Sequence, residues 1–420
     1  MNRTFYRRKD CRLCGQTDPE VVFCLEPTPI AGDYVSYEKR WEVQELYPLE
    51  VALCHNCGCV FLLDIVDPEI LYRNFKYVSS SSPDLSQHFQ GYAQYILKHF
   101  SVPDRALIVD VGSNDGLFLK EFQQRGFNVL GIDPARSIAQ KATESGIETL
   151  ARYYDIELAR ELKHERGCAQ IITANNVMAN VDDMIAFMHS IRELLADDGL
   201  FIFETGYLLK LVQNMVFDNI YHEHLSYFAV KPLDIFLKRC GMELIDIICV
   251  PTKGGSLRGV VQFKGGPRRR SPSVDQMIQS EIEFGLDRAE AFKNFKRQID
   301  NEKNKILNLM NDLKREKRTI AGYGASHSVT TFLYYFGLGE KLEFLFEDNT
   351  AKFNMFSPGH HIPILASDEI YDRKLDYIII LPWRFHEMII NRHSLYLDQG
   401  GHFIVPLPEM KIISKEVAVL

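Results

Sequence analysis

The stretch "ALIVDVGSNDGLFLKEF", residues 106–122, decides the fold that we expect for much of the chain. It opens with an apolar run typical of a buried strand and closes with a helix-like pattern. Between these parts lies a D-x-G-x-x-x-G turn formed by Asp110, Gly112 and Gly116. A strand, a glycine-rich turn and a helix in this order predict the first unit of a parallel, doubly wound α/β sheet.

Further strands are predicted downstream, and two of them end in polar residues. The run "FNVLGID" ends in Asp133, about twenty residues after the glycines, where an acid grips a pair of ribose hydroxyls in nucleoside-binding folds. The run "AQIITANN" ends in Asn175 and Asn176, and another strand is predicted to begin at Gly199 in "GLFIFETG". These strand-end residues are candidates for binding a nucleoside-containing cofactor.

The glycine pattern discriminates between two such cofactors. A dinucleotide site uses G-x-G-x-x-G, and the second glycine of that pattern is missing here. S-adenosylmethionine has no phosphates, and a glycine turn followed by an acid at the end of the next strand fits this cofactor.

The runs "MELIDIICVP" and "LRGVVQFKG" predict an antiparallel hairpin at the sheet edge, which is typical of class I methyltransferases. A Rossmann-like domain without a ligand is the alternative. The predicted cofactor-binding residues are Asp110, Gly112, Gly116, Asp133, Asn175 and Asn176.

Four cysteines near the N-terminus have the spacing of a metal site. Cys11 and Cys14 lie in "CRLCG", and Cys54 and Cys57 lie in "CHNCG". Each C-x-x-C pair can aim two thiolates at one ion, and two such pairs match tetrahedral Zn²⁺. We therefore predict a closed, structural zinc site in a small N-terminal domain of strands and turns. Two independent redox or buried pairs are the alternative.

A second glycine turn, in "RTIAGYGASHSV" from Arg318, begins another strand–turn–helix unit. Further strands in "LEFLFED", "LDYIIIL" and "GGHFIVP" predict a second, Rossmann-like α/β domain. Residues 271–318 predict one or two long amphipathic helices whose charges form a solvated face. The predicted domains are a zinc-binding domain (1–75), a methyltransferase domain (76–268), a helical linker (269–318) and a C-terminal α/β domain (319–420).

The segment "FDNIYHEHLSYF", residues 217–228, concentrates titratable side chains: Tyr221, His222, Glu223 and His224 are adjacent. An imidazole near neutral pH is a usable proton acceptor, and neighbouring phenols can donate hydrogen bonds to a developing negative charge. The H-E-x-x-H pattern of zinc proteases is absent. We expect a proton-transfer site here, with a satisfied polar turn as the alternative.

Composition argues against several classes of protein. The chain has 420 residues, 46% hydrophobic and 25% charged, which is ordinary for a globular protein. Its net charge of −8 gives no general affinity for nucleic acid or anionic membranes. No apolar run approaches a membrane span, no secretory signal opens the sequence, and nine cysteines argue against a disulfide framework. A cytoplasmic location is the default expectation, for a monomer or a small homo-oligomer.

The motifs together resemble a known family. Over nearly its whole length the chain resembles the nucleotide-sugar C-methyltransferases that act on 4-keto-6-deoxyhexoses. The resemblance is carried by the shared order of "CRLCG", "CHNCG", "YVSSSS", "VDVGSNDG", "ANNVMANVDD", "YHEHLSYF", "GGSLRG", "GYGAS", "PGHHIPI", "LPWRF" and "GGHFIVPLPE". It implies a zinc domain that closes over the active site, a central domain that holds the methyl donor, and a C-terminal domain that helps to bind the dTDP- or GDP-linked sugar.

The implied reaction is methylation at C3 of the sugar through an enolate, because the 4-keto group acidifies the hydrogen on C3. The candidate catalytic residues are His224, which is the expected base, Tyr221, Glu223, His222 and, from the zinc domain, Tyr77. The candidate substrate-binding residues are Ser256, Arg258, His327, His360 and Trp383.

Two positions depart from the family pattern. The "ANNVMANV" segment has Asn180 where the family often has histidine, so a second imidazole is missing from the expected site. The C-terminal glycine turn offers His327 where a lysine often follows, and a neutral histidine is a weaker partner for a diphosphate. The remaining alternatives are methylation on oxygen or nitrogen, and a non-enzymatic, zinc-stabilised binding protein with a degenerate donor site.

Overall fold

The computed structural model describes residues 4–72, 78–79 and 83–415. These residues form two compact units, each assembled from three separate segments. Unit 1 takes the described residues of Met1–Glu20, Ala52–Lys210 and Glu223–Arg288, and unit 2 takes those of Val21–Val51, Leu211–His222 and Ala289–Leu420. The boundary between the units therefore falls inside the predicted proton-transfer segment, between His222 and Glu223.

The strands in the described residues are β1 (Phe5–Arg7), β2 (Glu20–Thr28), β3 (Tyr47–Leu53), β4 (Val60–Leu62), β5 (Asp64–Val66), β6 (Leu107–Val111), β7 (Asn128–Ile132), β8 (Thr149–Leu150), β9 (Ala169–Asn175), β10 (Leu195–Gly206), β11 (Ser226–Tyr227), β12 (Met242–Val250), β13 (Ser256–Phe263), β14 (Ile320–Tyr323), β15 (Leu345–Glu347), β16 (Ile364–Ala366), β17 (Tyr377–Ile380), β18 (His402–Val405) and β19 (Lys411–Ile413). The α-helices are α1 (Pro68–Tyr72), α2 (Pro83–His99), α3 (Leu117–Gln123), α4 (Arg136–Glu144), α5 (Ile156–Arg166), α6 (Met184–Leu194), α7 (Leu208–Gln213), α8 (Val230–Arg239), α9 (Pro272–Phe284), α10 (Ala289–Arg315), α11 (His327–Phe336), α12 (His386–Arg392) and α13 (Ser394–Asp398). None of these helices has the length and apolar content needed to span a membrane.

A seven-stranded sheet in the order β12-β13-β10-β9-β6-β7-β8 forms the centre of unit 1. Strands β6 to β10 pair in parallel, and Asp110 on β6 lies opposite Gly131 on one side and Thr173 on the other. Strands β12 and β13 pair antiparallel at the edge, which confirms the predicted hairpin. Strand β10 begins at Leu195, before the predicted Gly199. The doubly wound, methyltransferase-like sheet is therefore confirmed.

Helices α2 and α3 pack against each other in unit 1 through aromatic side chains. The ring of Tyr92 stacks on Phe118 with centroids 4.7 Å apart, and Phe118 meets Phe122 edge to face at 5.2 Å. These rings belong to one buried cluster with Ile108 and Ile171 of the sheet. Burial of each large side chain contributes roughly 1.5–3 kcal/mol, so this cluster anchors both helices to the sheet.

Short antiparallel pairs form the N-terminal part of unit 1. Strand β1 pairs with β5, and β4 pairs with β11 so that Val60 lies opposite Tyr227 and Phe61 opposite Ser226. Strand β11 lies within the predicted proton-transfer segment, directly after Leu225. The backbone beyond His224 is therefore joined to the cysteine-bearing part of the chain by strand pairing.

Unit 2 contains a six-stranded sheet in the order β16-β15-β14-β17-β18-β19. All of its strands pair in parallel except β19, which runs antiparallel to β18. Helix α11 packs its aromatic residues on Phe217, whose ring stacks on Phe336 with centroids 5.4 Å apart. The predicted second α/β fold is confirmed.

The charged segment between the two sheets forms two helices, α9 and α10, but not all of its charges face solvent as predicted. Glu281 on α9 is buried and accepts hydrogen bonds from the backbone amides of Val230 and Lys231 at 2.6 and 2.9 Å. Glu302 on α10 is buried and accepts from the amide of Met410 at 3.0 Å. The prediction was wrong for these two carboxylates because each satisfies backbone donors that would otherwise be buried alone.

Candidate active site and metal centre

Polar residues gather at the carboxyl edge of the sheet in unit 1. Asp110 is buried, and its Oδ1 accepts a hydrogen bond of 2.6 Å from the Thr173 hydroxyl. The Asn175 amide nitrogen lies 3.5 Å from the same oxygen. Burial raises the pKa of Asp110 to about 7, although the bond from Thr173 acts to lower it. A carboxyl group that changes charge near neutral pH therefore lies at this edge.

Asp133 follows β7 and is held by two backbone amides. Its Oδ2 accepts from Asn114 and its Oδ1 from Ala135, both at 2.9 Å. These bonds fix the orientation of the carboxylate and leave lone pairs for a ligand, since each carboxylate oxygen can accept two hydrogen bonds. The chemistry at this position fits the ribose of S-adenosylmethionine, which Asp133 and its neighbours could hold.

Gly112 and Gly116 are required by the packing of the protein itself. Gly112 has a φ of +72°, and a Cβ atom there would lie 2.2 Å from Cγ2 of Val177. Gly116 has a φ of +76°, and its Cβ would lie 2.9 Å from Cβ of Ile147. Both backbones occupy the left-handed region that favours glycine. A side chain at either position would distort the turn whether or not a ligand is bound.

Asn176, the last predicted cofactor-binding residue, follows β9. Its backbone has a φ of +57°, and its amide donates to the Glu204 carbonyl oxygen at 2.7 Å. The left-handed conformation is one that asparagine tolerates better than most residues. Asn176 therefore turns the chain sharply at the carboxyl edge, and its side chain is half-buried.

The four predicted metal ligands converge in unit 1. The Sγ atoms of Cys11, Cys14, Cys54 and Cys57 all lie within 4.8 Å of one another. The sulfurs of Cys11 and Cys57 are 3.6 Å apart, and those of Cys14 and Cys54 are 3.5 Å apart. Four thiolates around one ion are a preferred set for structural zinc and leave no position for a substrate. The donor set fits a closed zinc site.

Glu223 and His224 lie on the unit 1 side of the proton-transfer segment. Glu223 is buried, and burial raises the pKa of its carboxyl group to about 7, while the charge of Lys253 acts to lower it. His224 is half-buried. The Tyr72 hydroxyl donates to the Glu223 carbonyl oxygen at 3.4 Å, and Asn180 also hydrogen-bonds that phenol. The residue directly before the predicted base in the chain therefore carries a buried carboxyl group with a raised pKa.

Tyr221 and His222 lie on the unit 2 side of the same segment. His222 is enclosed, with 1% of its surface exposed, and its Nε2 lies 3.2 Å from the Tyr47 carbonyl oxygen. Burial lowers the pKa of His222 to about 4, so the imidazole is neutral at physiological pH. Tyr221 is half-buried and meets the ring of His327 edge to face at 6.3 Å. The enclosed, neutral imidazole of His222 is better placed to hold this segment in position than to exchange protons with a substrate.

Three family models match successive parts of the chain: a zinc binding domain at residues 11–72, a methyltransferase domain at 86–247 and a C-methyltransferase C-terminal domain at 251–408. Over 408 residues the chain is 30% identical to the C-methyltransferase NovU of Streptomyces niveus, with 97% of each chain covered. The chain belongs to the C-methyltransferase family. This C-methyltransferase uses S-adenosylmethionine as its methyl donor and carries a structural zinc ion.

Three further proteins are similar to part of this C-methyltransferase. The ubiquinone biosynthesis O-methyltransferase of Hydrogenovibrio crunogenus is 24% identical over 161 residues, which are 35% of this chain and 66% of that protein. The solved structure of an S-adenosylmethionine-dependent methyltransferase from Clostridium acetobutylicum is 14% identical, with a TM-score of 0.34, 43% of this chain covered and 92% of that one. Magnesium protoporphyrin IX methyltransferase from Synechocystis PCC 6803 with bound SAH is 15% identical, with a TM-score of 0.33 and coverages of 42% and 82%.

Two predicted substrate-binding residues of the C-methyltransferase lie on β13 and are engaged within unit 1. The Ser256 hydroxyl donates to the Thr252 carbonyl oxygen at 3.0 Å, which closes the turn before the strand. Arg258 is buried, its Nε donates to Oε1 of Glu204 at 2.6 Å, and its guanidinium lies 3.5 Å from the ring centroid of Tyr92. Both side chains therefore have structural partners, and a substrate would have to share them.

The other predicted substrate-binding residues lie in unit 2. His327 opens α11, its ring stacks near Tyr34 with centroids 6.5 Å apart, and a Cβ on Gly32 would lie 2.6 Å from its Nε2. His360 packs on the Tyr334 ring at 4.2 Å, and burial lowers its pKa. Trp383 is buried, and within the described residues its indole nitrogen has no hydrogen-bond partner.

Several residues near these sites were not found from the sequence. Glu204 lies two residues before the end of β10 in "FETG", a position that could have marked it, because acids near the carboxyl ends of strands often face ligands. His88 and Tyr72 have no local signal, since their partners lie more than a hundred residues away. Tyr77, the predicted lid phenol in "YVSSSS", lies outside the described residues.

Proposed function

We propose that this C-methyltransferase transfers a methyl group to C3 of an NDP-linked 4-keto-6-deoxyhexose through an enolate. The observation that carries the proposal is the burial of Glu223, the residue directly before His224 in the chain, which raises the pKa of its carboxyl group to about 7. A carbon acceptor needs such groups because an ordinary sugar C–H bond is far too weak an acid. A neighbouring ketone removes that difficulty by delocalising the charge onto oxygen.

The proposed reaction has one deprotonation and one transfer. The His224 imidazole takes the proton from C3, and the electron pair of the broken C–H bond forms the enolate with the C4 oxygen. Hydrogen bonds to that oxygen stabilise the developing charge. Bound S-adenosylmethionine supplies a methyl group on a positively charged sulfonium and leaves as the neutral sulfide when C3 takes the methyl. The ketone is restored, and His224 returns its proton to solvent.

Roles for the remaining candidates follow from their surroundings. Glu223 shares or stabilises the proton of the neighbouring imidazole, because its own pKa is near neutral. Tyr221 and Tyr77 are proposed donors to the enolate oxygen or to a sugar hydroxyl. His222, neutral and hydrogen-bonded to the backbone, is proposed to fix the segment in place.

The donor and metal residues are proposed on the geometry of unit 1. Asp110, Asp133, Asn175 and Asn176 are the proposed contacts of S-adenosylmethionine, with Gly112 and Gly116 shaping the turn beside it. The proposed zinc ligands are Cys11, Cys14, Cys54 and Cys57.

The next part of the proposal concerns the residues that bind the substrate and the properties of the whole protein. Ser256, Arg258, His327, His360 and Trp383 remain the proposed substrate-binding residues. The domain boundaries predicted from the sequence, the cytoplasmic location, the monomeric or small homo-oligomeric state and the absence of nucleic-acid binding stay part of this proposal.

The decisive experiment uses purified protein, S-adenosylmethionine and a panel of dTDP- and GDP-linked 4-keto-6-deoxy sugars. Mass spectrometry should find one product heavier by one methylene group, and NMR should place the new methyl on C3. The matched control is the same sugar reduced at C4, which cannot form the enolate. Methylation of that reduced sugar would show transfer to oxygen and overturn the proposal.

A further inference from the structure

Arg12 stands between two of the cysteines and is itself buried. It separates Cys11 from Leu13 and Cys14 in "CRLCG", and only 2% of its surface is exposed. Its Nη1 atom donates to the Leu62 carbonyl oxygen at 3.0 Å and to the Leu225 carbonyl oxygen at 2.9 Å. Leu225 directly follows His224. A residue of the zinc knuckle therefore holds the backbone next to the proposed base.

The Nε atom of Arg12 contacts another motif. Nε of Arg12 donates to Oδ1 of Asp182 at 3.0 Å. Asp182 belongs to "ANNVMANVDD" and lies two residues beyond Asn180, the position at which the family often has histidine. Arg8 also binds Asp182, at 2.8 Å, and the Tyr6 hydroxyl donates to its other oxygen. Arg12 thus connects the knuckle to two segments of unit 1 that carry predicted site residues, the one with Asn175 and Asn176 and the one with Glu223 and His224.

The geometry needs an arginine. The planar guanidinium presents fixed donors in several directions, and Arg12 uses them on two carbonyl oxygens and one carboxylate. A lysine has one compact ammonium and cannot reach acceptors on three separate elements together. The Leu225 carbonyl also accepts from the Leu62 amide at 2.9 Å, so strand pairing alone would keep β11 in place while leaving the guanidinium bond unmade.

We propose that Arg12 is a positioning residue that sets the placement of His224 through the Leu225 carbonyl, so that the zinc knuckle serves methyl transfer as well as folding. The catalytic role assigned to His224 rests on the proposed function, whereas the hydrogen bond from Arg12 to the Leu225 carbonyl oxygen does not. Displacement of a reacting group by about 1 Å can cost about a hundredfold in rate. Arg12 should therefore affect turnover without touching the donor or the substrate.

The test compares Arg12→Lys with Arg8→Lys, since Arg8 also binds Asp182 but its other side-chain contacts go to Asp10. The first readout needs no substrate. Hydrogen–deuterium exchange of residues 223–228 should be about tenfold faster in Arg12→Lys, the effect of losing one buried hydrogen bond, and close to wild type in Arg8→Lys. Zinc content and S-adenosylmethionine affinity should be unchanged in both variants.

The second readout is catalysis on a 4-keto sugar. Arg12→Lys should lose about a hundredfold in kcat with KM for the donor within about twofold, and the exchange of the C3 hydrogen with solvent should slow in parallel. Loss of zinc or of donor affinity in Arg12→Lys would overturn the inference, because Arg12 would then only maintain the fold. Amide hydrogen exchange at residues 223–228 that matches the wild type, together with wild-type turnover, would overturn it as well. If the wild-type protein methylates no 4-keto sugar, the proposed function is wrong. The amide exchange result still tests whether Arg12 positions the backbone next to His224.

Discussion

Nε2 of His88 lies 2.7 Å from Oε2 of Glu204, although 116 positions separate the two residues. The other carboxylate oxygen of Glu204 accepts from Arg258. The exposed fractions of these side chains are 16% for His88, 3% for Glu204 and 7% for Arg258. One buried carboxylate therefore serves partners on α2 and on β13, at the carboxyl edge where the donor is proposed to bind.

Glu204→Ala should destabilise the protein by about 3–5 kcal/mol, because the Arg258 charge would stay buried without its partner. The matched control is Glu148→Ala, whose ion pair with Arg166 is largely solvated, with side chains 46% and 44% exposed. That change should cost no more than about 1 kcal/mol. Urea unfolding measures both values, and similar losses in the two variants would contradict the importance of the buried pair.

Cys14→Ser should release the metal. Purified wild-type protein should contain about one zinc per chain, and the variant should contain much less and unfold at a lower temperature, because metal binding contributes to folding. Cys168→Ser is the control, since that thiol is exposed and lies outside the four-cysteine group. Full zinc content in Cys14→Ser, measured by plasma mass spectrometry, would rule out the assignment.

Asp133→Ala should weaken S-adenosylmethionine binding by about 1–3 kcal/mol, the range for polar groups that lose a partner in a buried site. Asp104→Ala is a suitable control because that residue is exposed. Calorimetric titration gives both affinities. Equal affinities in the two variants would remove Asp133 from the donor site.

His224→Asn should lose turnover by about a hundredfold to ten-thousandfold, the usual effect of removing a general base. Donor affinity should be retained, and solvent deuterium should no longer enter at C3 of the substrate. His189→Asn, on an exposed part of α6, should behave as wild type. Deuterium exchange that persists in His224→Asn and disappears in Glu223→Gln would move the role of base to the carboxyl group.

Glu223 should make stability decrease as pH rises. Burial raises the pKa of its carboxyl group from 4.5 to about 7, so the folded protein keeps a proton that the unfolded chain releases. Between about pH 4.5 and about pH 7 the wild type should lose ~3 kcal/mol relative to Glu223→Gln, which has no titrating group there. Thermal unfolding of both proteins across this range tests the sign; parallel curves would show that folding leaves the pKa of Glu223 unshifted.

The sequence predicted those features that are local. The apolar run before Asp110, the glycine turn and the edge hairpin each lie within a short stretch, so their periodicity could be recognised directly. The cysteine pairs were equally visible because a metal site imposes fixed spacing. The order of the motifs was enough to indicate the family, which the comparisons then established.

The sequence could not predict pairings between distant positions. Nothing near Arg12 indicates that it will bind Leu225, and nothing near His88 indicates Glu204, because each contact depends on how the whole chain folds. Glu281 and Glu302 were expected to face solvent for the same reason: their backbone partners, Val230 and Met410, lie 51 and 108 positions away in the chain. The low pKa of His222 likewise follows from an enclosure that neighbouring residues do not reveal.

The interleaving of the two units constrains how such genes can recombine. The chain passes from one unit to the other at residues 20–21, 51–52, 210–211, 222–223 and 288–289. A single crossover between residues 21 and 288 would therefore divide both units between two parents, so that each unit is assembled from segments adapted to different neighbours. Chimeras joined within that interval should therefore fold poorly.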